Sequence, residues 1–309
     1  MAETVELGGS GPGPGPGGDG LLDPDFMQRL EQLEIISRKI YASRQKGERR
    51  SKRKGESAEF ADYRNYVVGD DLRHIDWNIY ARLDRLYLKL FLEEEDLNIT
   101  VLLDVSKSMD VGEPSKALYA KRVAAAMAYI GLCNYDRVNL YAYNDAIANH
   151  VSGLRSRKML PKVIQFLEET PIQGKSHFAA AARQFASRHT QKGIVLVLSD
   201  FLDKGGFDQG LRYLLGRQFD IYVLQTLSPQ EVTPELAGDL KLVDCEDEDV
   251  AEITVSKTLL DRYKANLEAY CESLRSYCSQ RGINYLLATT DHPFETLVLN
   301  YLRQRGLLR

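Results

Sequence analysis

The chain has 309 residues, of which 44% are hydrophobic and 27% charged, and a net charge of −4. That is ordinary globular composition, with room for one large domain and an extension or for two domains. It excludes collagen-like and coiled-coil chains, and the slight acidity argues against a dominant nucleic-acid surface.

Residues 1–22 hold a glycine- and proline-rich run, GGSGPGPGPGGDG, which cannot bury a core and predicts a disordered tail. A helix follows, capped by Asp23 with Pro24 in its first turn. Phe26, Leu30, Leu33, Ile36 and Ile40 lie on its apolar face. Arg44 to Lys54, RQKGERRSKRK, is strongly basic without interleaved aromatics, which reads as a solvated loop. Alternation at Leu86, Leu88 and Leu90 suggests a strand, and the apolar run Leu97 to Leu103 suggests a buried strand ending at Asp104. Helix and strand then alternate. Helices are expected over Lys116 to Leu132, Lys158 to Glu169, Phe178 to His189 and Phe207 to Arg217. Strands are expected over Arg137 to Tyr143, Gly193 to Leu198 and Asp220 to Thr226. Leu240 to Thr254 reads as a hairpin whose acidic tip, Asp244 to Asp249, is a solvated turn. A long helix from Ser256 to Gly282, a strand over Ile283 to Ala288 and a helix over Phe294 to Leu302 close the chain. This alternation predicts an α/β fold, a doubly wound and mostly parallel sheet flanked by helices. The expected division is a tail to residue 22, an extension over 23–96 and the sheet domain over 97–309.

Cys133, Cys245, Cys271 and Cys278 form no CxxC pair. That excludes a zinc ribbon and points to reduced thiols in a cytoplasmic protein. No apolar run reaches the about eighteen residues that a membrane helix needs. The five histidines show no HExxH spacing, and no P-loop, GxGxxG or GxSxG occurs.

In an open α/β sheet, ligands bind beyond the carboxyl ends of the strands. Three loops belong there. The first is Asp104-Val105-Ser106-Lys107-Ser108, the second Gly174-Lys175-Ser176-His177, the third Ser199-Asp200-Phe201. They offer two carboxylates and several hydroxyls, hard oxygen donors that suit Mg2+ or Mn2+ rather than zinc. The candidate ligands are Asp104, Ser106, Ser108, Ser176 and Asp200, with Ser199 and Thr170 as weaker choices for the middle position. DxSxS after the first apolar strand, a middle hydroxyl and a later Asp resemble the metal-ion-dependent adhesion site (MIDAS) of von Willebrand factor A domains. That family commonly has Thr at the middle position, where this chain has Ser176. The resemblance covers about Leu97 to Leu308.

Upstream, Glu59-Phe60, Tyr63-Arg64, Tyr66, Gly69-Asp70-Asp71, Arg73, Ile75-Asp76-Trp77 and Ala81-Arg82 resemble the signature of domain-of-unknown-function family 58, a bacterial family. In that family the signature precedes a von Willebrand A-like domain, and its genes commonly neighbour a MoxR-type AAA+ ATPase. The resemblance implies a non-enzymatic module whose weakly bound Mg2+ or Mn2+ takes an Asp or Glu from a protein partner, such as that ATPase. From the residues alone, alternating charge over Asp70 to Arg82 around Trp77 reads as a salt-bridged structural turn. A magnesium-dependent hydrolase is the alternative, though Ser106 stands where an aspartyl phosphatase needs a second acid. Nucleic-acid binding through Arg44 to Lys54 is a third, weaker reading.

Overall fold

The computed structural model describes residues 21–33, 35, 59–92, 97–189, 192–217, 219–236, 238–243, 246, 250–301 and 307–308. The chain divides into two compact units, Met1–Tyr41 with Leu97–Arg309, and Ala42–Asp96. The basic stretch Arg44 to Lys54, the tail to residue 20 and Cys245 lie outside the described residues.

The smaller unit is an antiparallel pair, β1 (Glu59–Asn65) and β2 (Tyr87–Leu92), joined by a 3-10 turn at Leu72–His74 and a helix at Trp77–Leu83. Asp76 organises it. One of its oxygens caps the helix, accepting from Asn78 N at 2.9 Å and Ile79 N at 3.2 Å. The other accepts from Tyr63 OH at 3.0 Å and pairs with Lys89 at 3.1 Å. Arg64 grips Asp70 through two 2.8 Å bonds. The charge cluster is thus a hydrogen-bonded turn, but two of its members are not packed: Arg73 pairs with Asp71 at the surface, and Trp77 is 60% exposed.

The larger unit begins with the Pro24–Leu30 helix, whose Phe26 meets Phe294 edge-on at 5.2 Å. The expected helix ends at Leu30, and Ile36 and Ile40, placed on its apolar face, lie outside the described residues. Leu33 and Ile35 are still buried, but Leu33 N closes a turn onto Leu30 O at 3.0 Å and Ile35 forms an antiparallel bridge to Leu308. Glu31 accepts from Tyr129 OH at 2.8 Å, and Leu33 O accepts from Asn134 at 2.9 Å. The head of the 23–96 segment is therefore built into the sheet unit.

The main sheet contains β3 (Asn98–Asp104), β4 (Arg137–Tyr143), β5 (Ile147–Leu154), β6 (Gly193–Ser199), β7 (Phe219–Leu227) and β10 (Asn284–Thr289). Between the last two, β8 (Gly238–Val243) and β9 (Val250–Val255) form a separate antiparallel hairpin. The sheet order is β10-β7-β6-β3-β4-β5, parallel throughout except for the antiparallel edge strand β5. This is the doubly wound α/β arrangement that the alternation predicts. β6 and β7 are buried at every position because helices cover both faces. Successive residues of a strand point to opposite faces, and the two cores divide accordingly. Val101, Leu103, Leu196 and Leu198 join the core under the Lys116–Cys133 and Leu160–Glu169 helices. Leu102, Val195 and Val197 join the core under the Phe178–Arg188, Asp208–Leu215 and Lys257–Gln280 helices. The final segment is a short turn of α-helix at Phe294–Thr296 continued as a π-helix over Leu297–Tyr301. No helix among the described residues is long and apolar enough to cross a membrane.

Strand order sets the position of any site. From β3 the chain winds outward through β4 to β5, then returns to pair β6 on the other side of β3 and winds outward again. The crevice at this reversal, beyond the carboxyl ends of β3 and β6, is where such sheets bind ligands.

Candidate metal centre

Asp104 is the last residue of β3 and is wholly buried. The loop after it is laced to its neighbours by backbone hydrogen bonds: Val105 N to Tyr143 O at 2.8 Å, Gln173 N to Val105 O at 2.8 Å and Lys107 N to Gly174 O at 3.0 Å. These bonds bring the loop before the Phe178–Arg188 helix against the end of β3. Gly174 adopts φ +81, which L side chains rarely adopt, and a Cβ there would sit 3.0 Å from the Asn144 amide nitrogen. That amide in turn donates to Gln173 O at 3.1 Å. Ser176 is carried to Asp104 by this turn.

The Asp104 carboxylate is the hub. Its Oδ1 accepts from Ser106 N at 3.0 Å and Ser106 Oγ at 2.7 Å. Its Oδ2 accepts from Ser176 Oγ at 3.1 Å and Ser199 Oγ at 2.7 Å. Ser108 Oγ lies 3.0 Å from Ser106 Oγ, half-buried at the outer side of the cluster. Asp104, Ser106, Ser108 and Ser176 therefore form one connected set. Ser199, the weaker choice, joins it too. Thr170 does not: its hydroxyl donates to Phe166 O at the end of a helix.

Asp200 follows β6 and is buried beside this set. Its Oδ1 accepts from Leu202 N at 3.0 Å, and its Oδ2 from Lys116 Nζ at 2.8 Å. Lys116, at the start of the Lys116–Cys133 helix, is fully buried and also pairs with Glu231. Burial works against its ammonium, but Asp200 and Glu231 outweigh burial and raise its pKa. Burial, and then the charge of Asp200, raise Asp104 to about 6 against the hydrogen bonds from Ser106 and Ser199. The buried Tyr143 hydroxyl has no hydrogen-bond partner of normal geometry, and burial pushes its phenol far up.

Of the acidic tip Asp244 to Asp249 only Glu246 lies among the described residues, and it departs from expectation. Glu246 is not a fully solvated turn residue. It is half-buried, and its Oε2 accepts from Ser176 N at 3.2 Å. Burial raises its pKa, against the Ser176 N–H and the Ser108 side chain, which lower it. Spacing in the sequence signals neither Glu246 nor Lys116 nor Glu231. Glu246 and Glu231 arrive from elements distant along the chain, and Lys116 from the helix that follows the Asp104 loop. His177, by contrast, sits at the surface, 3.8 Å from Asp203.

Among the described residues, no group of three or more His, Cys, Asp or Glu side chains is placed to hold a metal. Any ion here would rest on hydroxyls and two carboxylates. That donor set fits a hard divalent cation. Ser106 and Ser176 direct their hydroxyl hydrogens at Asp104, which leaves oxygen lone pairs for a cation. Asp104 beside Asp200 also carries repulsion that a cation relieves.

A curated relative, an uncharacterized protein of Mycobacterium tuberculosis, is 23% identical over 293 residues, which are 93% of this chain and 92% of the relative. Among solved structures, the conserved hypothetical protein BatB from Bacteroides thetaiotaomicron aligns with a TM-score of 0.40 at 13% identity. The alignment covers 68% of this chain and 96% of that one. The SpRpn10 VWA domain aligns with a TM-score of 0.37 at 11% identity, covering 66% and 94%. The family described as protein of unknown function DUF58 matches residues 62–282, a stretch that runs from β1 through the Lys257–Gln280 helix and takes in the whole Asp104 cluster. The chain belongs to the DUF58 family.

Proposed function

We propose that this protein is a non-enzymatic, metal-dependent protein-interaction module of the von Willebrand factor A type. The observation that carries the reading is the set of serine hydroxyls converging on the buried Asp104 at the reversal of the sheet. Asp104, Ser106, Ser108, Ser176 and Asp200 would hold Mg2+ or Mn2+. The ion, when bound, would supply a position that an exchangeable carboxylate can take. An Asp or Glu of a protein partner is that carboxylate. By the resemblance of the upstream signature, the partner is a MoxR-type AAA+ ATPase, working with this chain in protein assembly or maturation. Asp104 holds the serines in place, Asp200 adds negative charge, and Lys116 neutralises part of it. Among the described residues none in the crevice reads as a nucleophile, so binding is the use that the donors support.

The test has two parts. Calorimetry with Mn2+ should show binding to the wild type and none to Asp104→Asn, a variant that keeps an acceptor for the hydroxyls. The ATPase should co-purify with this chain in Mg2+, and less in chelator or with Asp104→Asn. Equal recovery in all three conditions would exclude the metal site from the association.

A further inference from the structure

We propose that Lys116 and Glu231, neither of them a ligand, set how tightly this centre takes a divalent ion. Lys116 opposes the ion, and Glu231 makes room for it by drawing the ammonium away from Asp200. The inference rests on the metal reading above and names what controls the affinity of that site.

Both oxygens of Asp200 are already engaged. Oδ1 accepts from Leu202 N at 3.0 Å, and Oδ2 accepts from Lys116 Nζ at 2.8 Å. Neither side chain of the Lys116–Asp200 pair is open to solvent, so water and salt screen it little. An ion drawn to Asp104 and Asp200 therefore meets a buried ammonium, and the two cations repel. Asp200 can turn an oxygen to the ion only as Lys116 gives it up. Lys116 has somewhere to go, because its Nζ also donates to Glu231 Oε1. Glu231 is fixed by a capping box: its Oε2 accepts from Ser228 N at 2.7 Å and from Ser228 Oγ at 3.1 Å. The turn that carries it, Pro229–Val232, is tied to the loop ahead of Lys116. Gln230 Nε2 donates to Glu113 O at 3.0 Å, and a Cβ at Gly112 would fall 2.3 Å from Ser228 Cβ. From the Lys257–Gln280 helix, Tyr263 OH donates to Glu231 O at 2.9 Å. The Glu231 carboxylate is thus a fixed acceptor toward which a flexible ammonium can shift. Two carboxylates share one ammonium, so the triad keeps a net negative charge that favours a cation. With one carboxylate fewer, Lys116 would hold Asp200 alone and neutralise it.

The experiment uses the full chain and Mn2+ alone, with affinity read by calorimetry and folding checked by circular dichroism in chelator. Lys116→Met removes the ammonium and should tighten Mn2+ binding by about tenfold, the scale typical of residues that contact a metal's ligands. Glu231→Gln keeps an oxygen for the Ser228 N–H, leaves Lys116 to Asp200, and should weaken binding by about as much. The opposite signs matter, because a lysine that only supported the fold would not tighten the site when removed. Urea unfolding with and without Mn2+ reads the same balance: the gain from the ion should exceed that of the wild type in Lys116→Met and fall below it in Glu231→Gln. Should Lys116→Met fail to fold, Glu231→Gln decides: weaker binding supports the proposal, and equal or tighter binding overturns it. Wild-type binding of Mn2+ with both variants unchanged, or with Lys116→Met folded and weaker, would overturn the role of the pair and leave the metal site standing. Absence of Mn2+ binding in the wild type would overturn both.

Discussion

Lys116 shows how much of the crevice depends on single buried charges. Its ammonium lies between Asp200 and Glu231 with no exposed side-chain surface. Methionine has nearly the same length and no charge, so Lys116→Met leaves two carboxylates without their cation. Removing one partner of a buried ion pair costs about 3–5 kcal/mol, because the remaining charge stays desolvated. The variant should unfold at markedly lower urea than the wild type. An unchanged midpoint would mean that water reaches this pair and that the burial is only nominal. The residue types were partly legible in the sequence. Asp104, Ser106 and Ser108 announce themselves by alternation after an apolar strand, whereas Lys116 looks like any first-turn lysine. Its role comes from elements that the chain places 84 and 115 residues away.

The helices that flank the crevice meet closely, and one contact tests the element packing. Gly210 lies against Phe178, the first residue of the helix after Ser176 and His177. A Cβ at 210 would fall 2.4 Å from two ring carbons of Phe178. That ring is held by Phe201 at 5.3 Å and Tyr143 at 5.9 Å, so it has little room to turn. Alanine gains about 1 kcal/mol of helix propensity over glycine, while overpacking costs about 1–3 kcal/mol. Packing should win, and Gly210→Ala should melt below the wild type. A higher melting temperature would show that the two helices separate easily. The strands at the sheet centre were legible because burial on both faces makes them continuous apolar runs. β5 was not. Most of its residues are exposed and its sequence, IANHVSGL, carries no clean alternation. It exists because β4 offers it an edge.

Across the whole molecule, a ligand that binds only the folded state stabilises it in proportion to its occupancy. If Mg2+ binds the Asp104 centre, a concentration near one hundred times its Kd should add about 2.7 kcal/mol. For a domain of this size that is roughly 5–10 °C in melting temperature. Scanning calorimetry should show the rise with Mg2+, its loss in chelator, and no rise for Asp104→Asn. The same rise in Asp104→Asn would place the ion elsewhere. The sequence by itself determined the fold class, since helix and strand periodicities are local and survive without knowledge of neighbours. It also determined the order in which the candidate ligands occur, because DxSxS and the later Asp each follow an apolar strand. It did not determine where the first helix ends: Leu33 and Ile35 are apolar in either conformation, and a turn at Leu33 followed by the bridge from Ile35 to Leu308 decided it. Nor did it expose Trp77 or turn Glu246 inward. Those outcomes depend on which surfaces meet after the strands are ordered, and only the tertiary structure, by bringing distant segments to the reversal between β3 and β6, set the charges around Asp104.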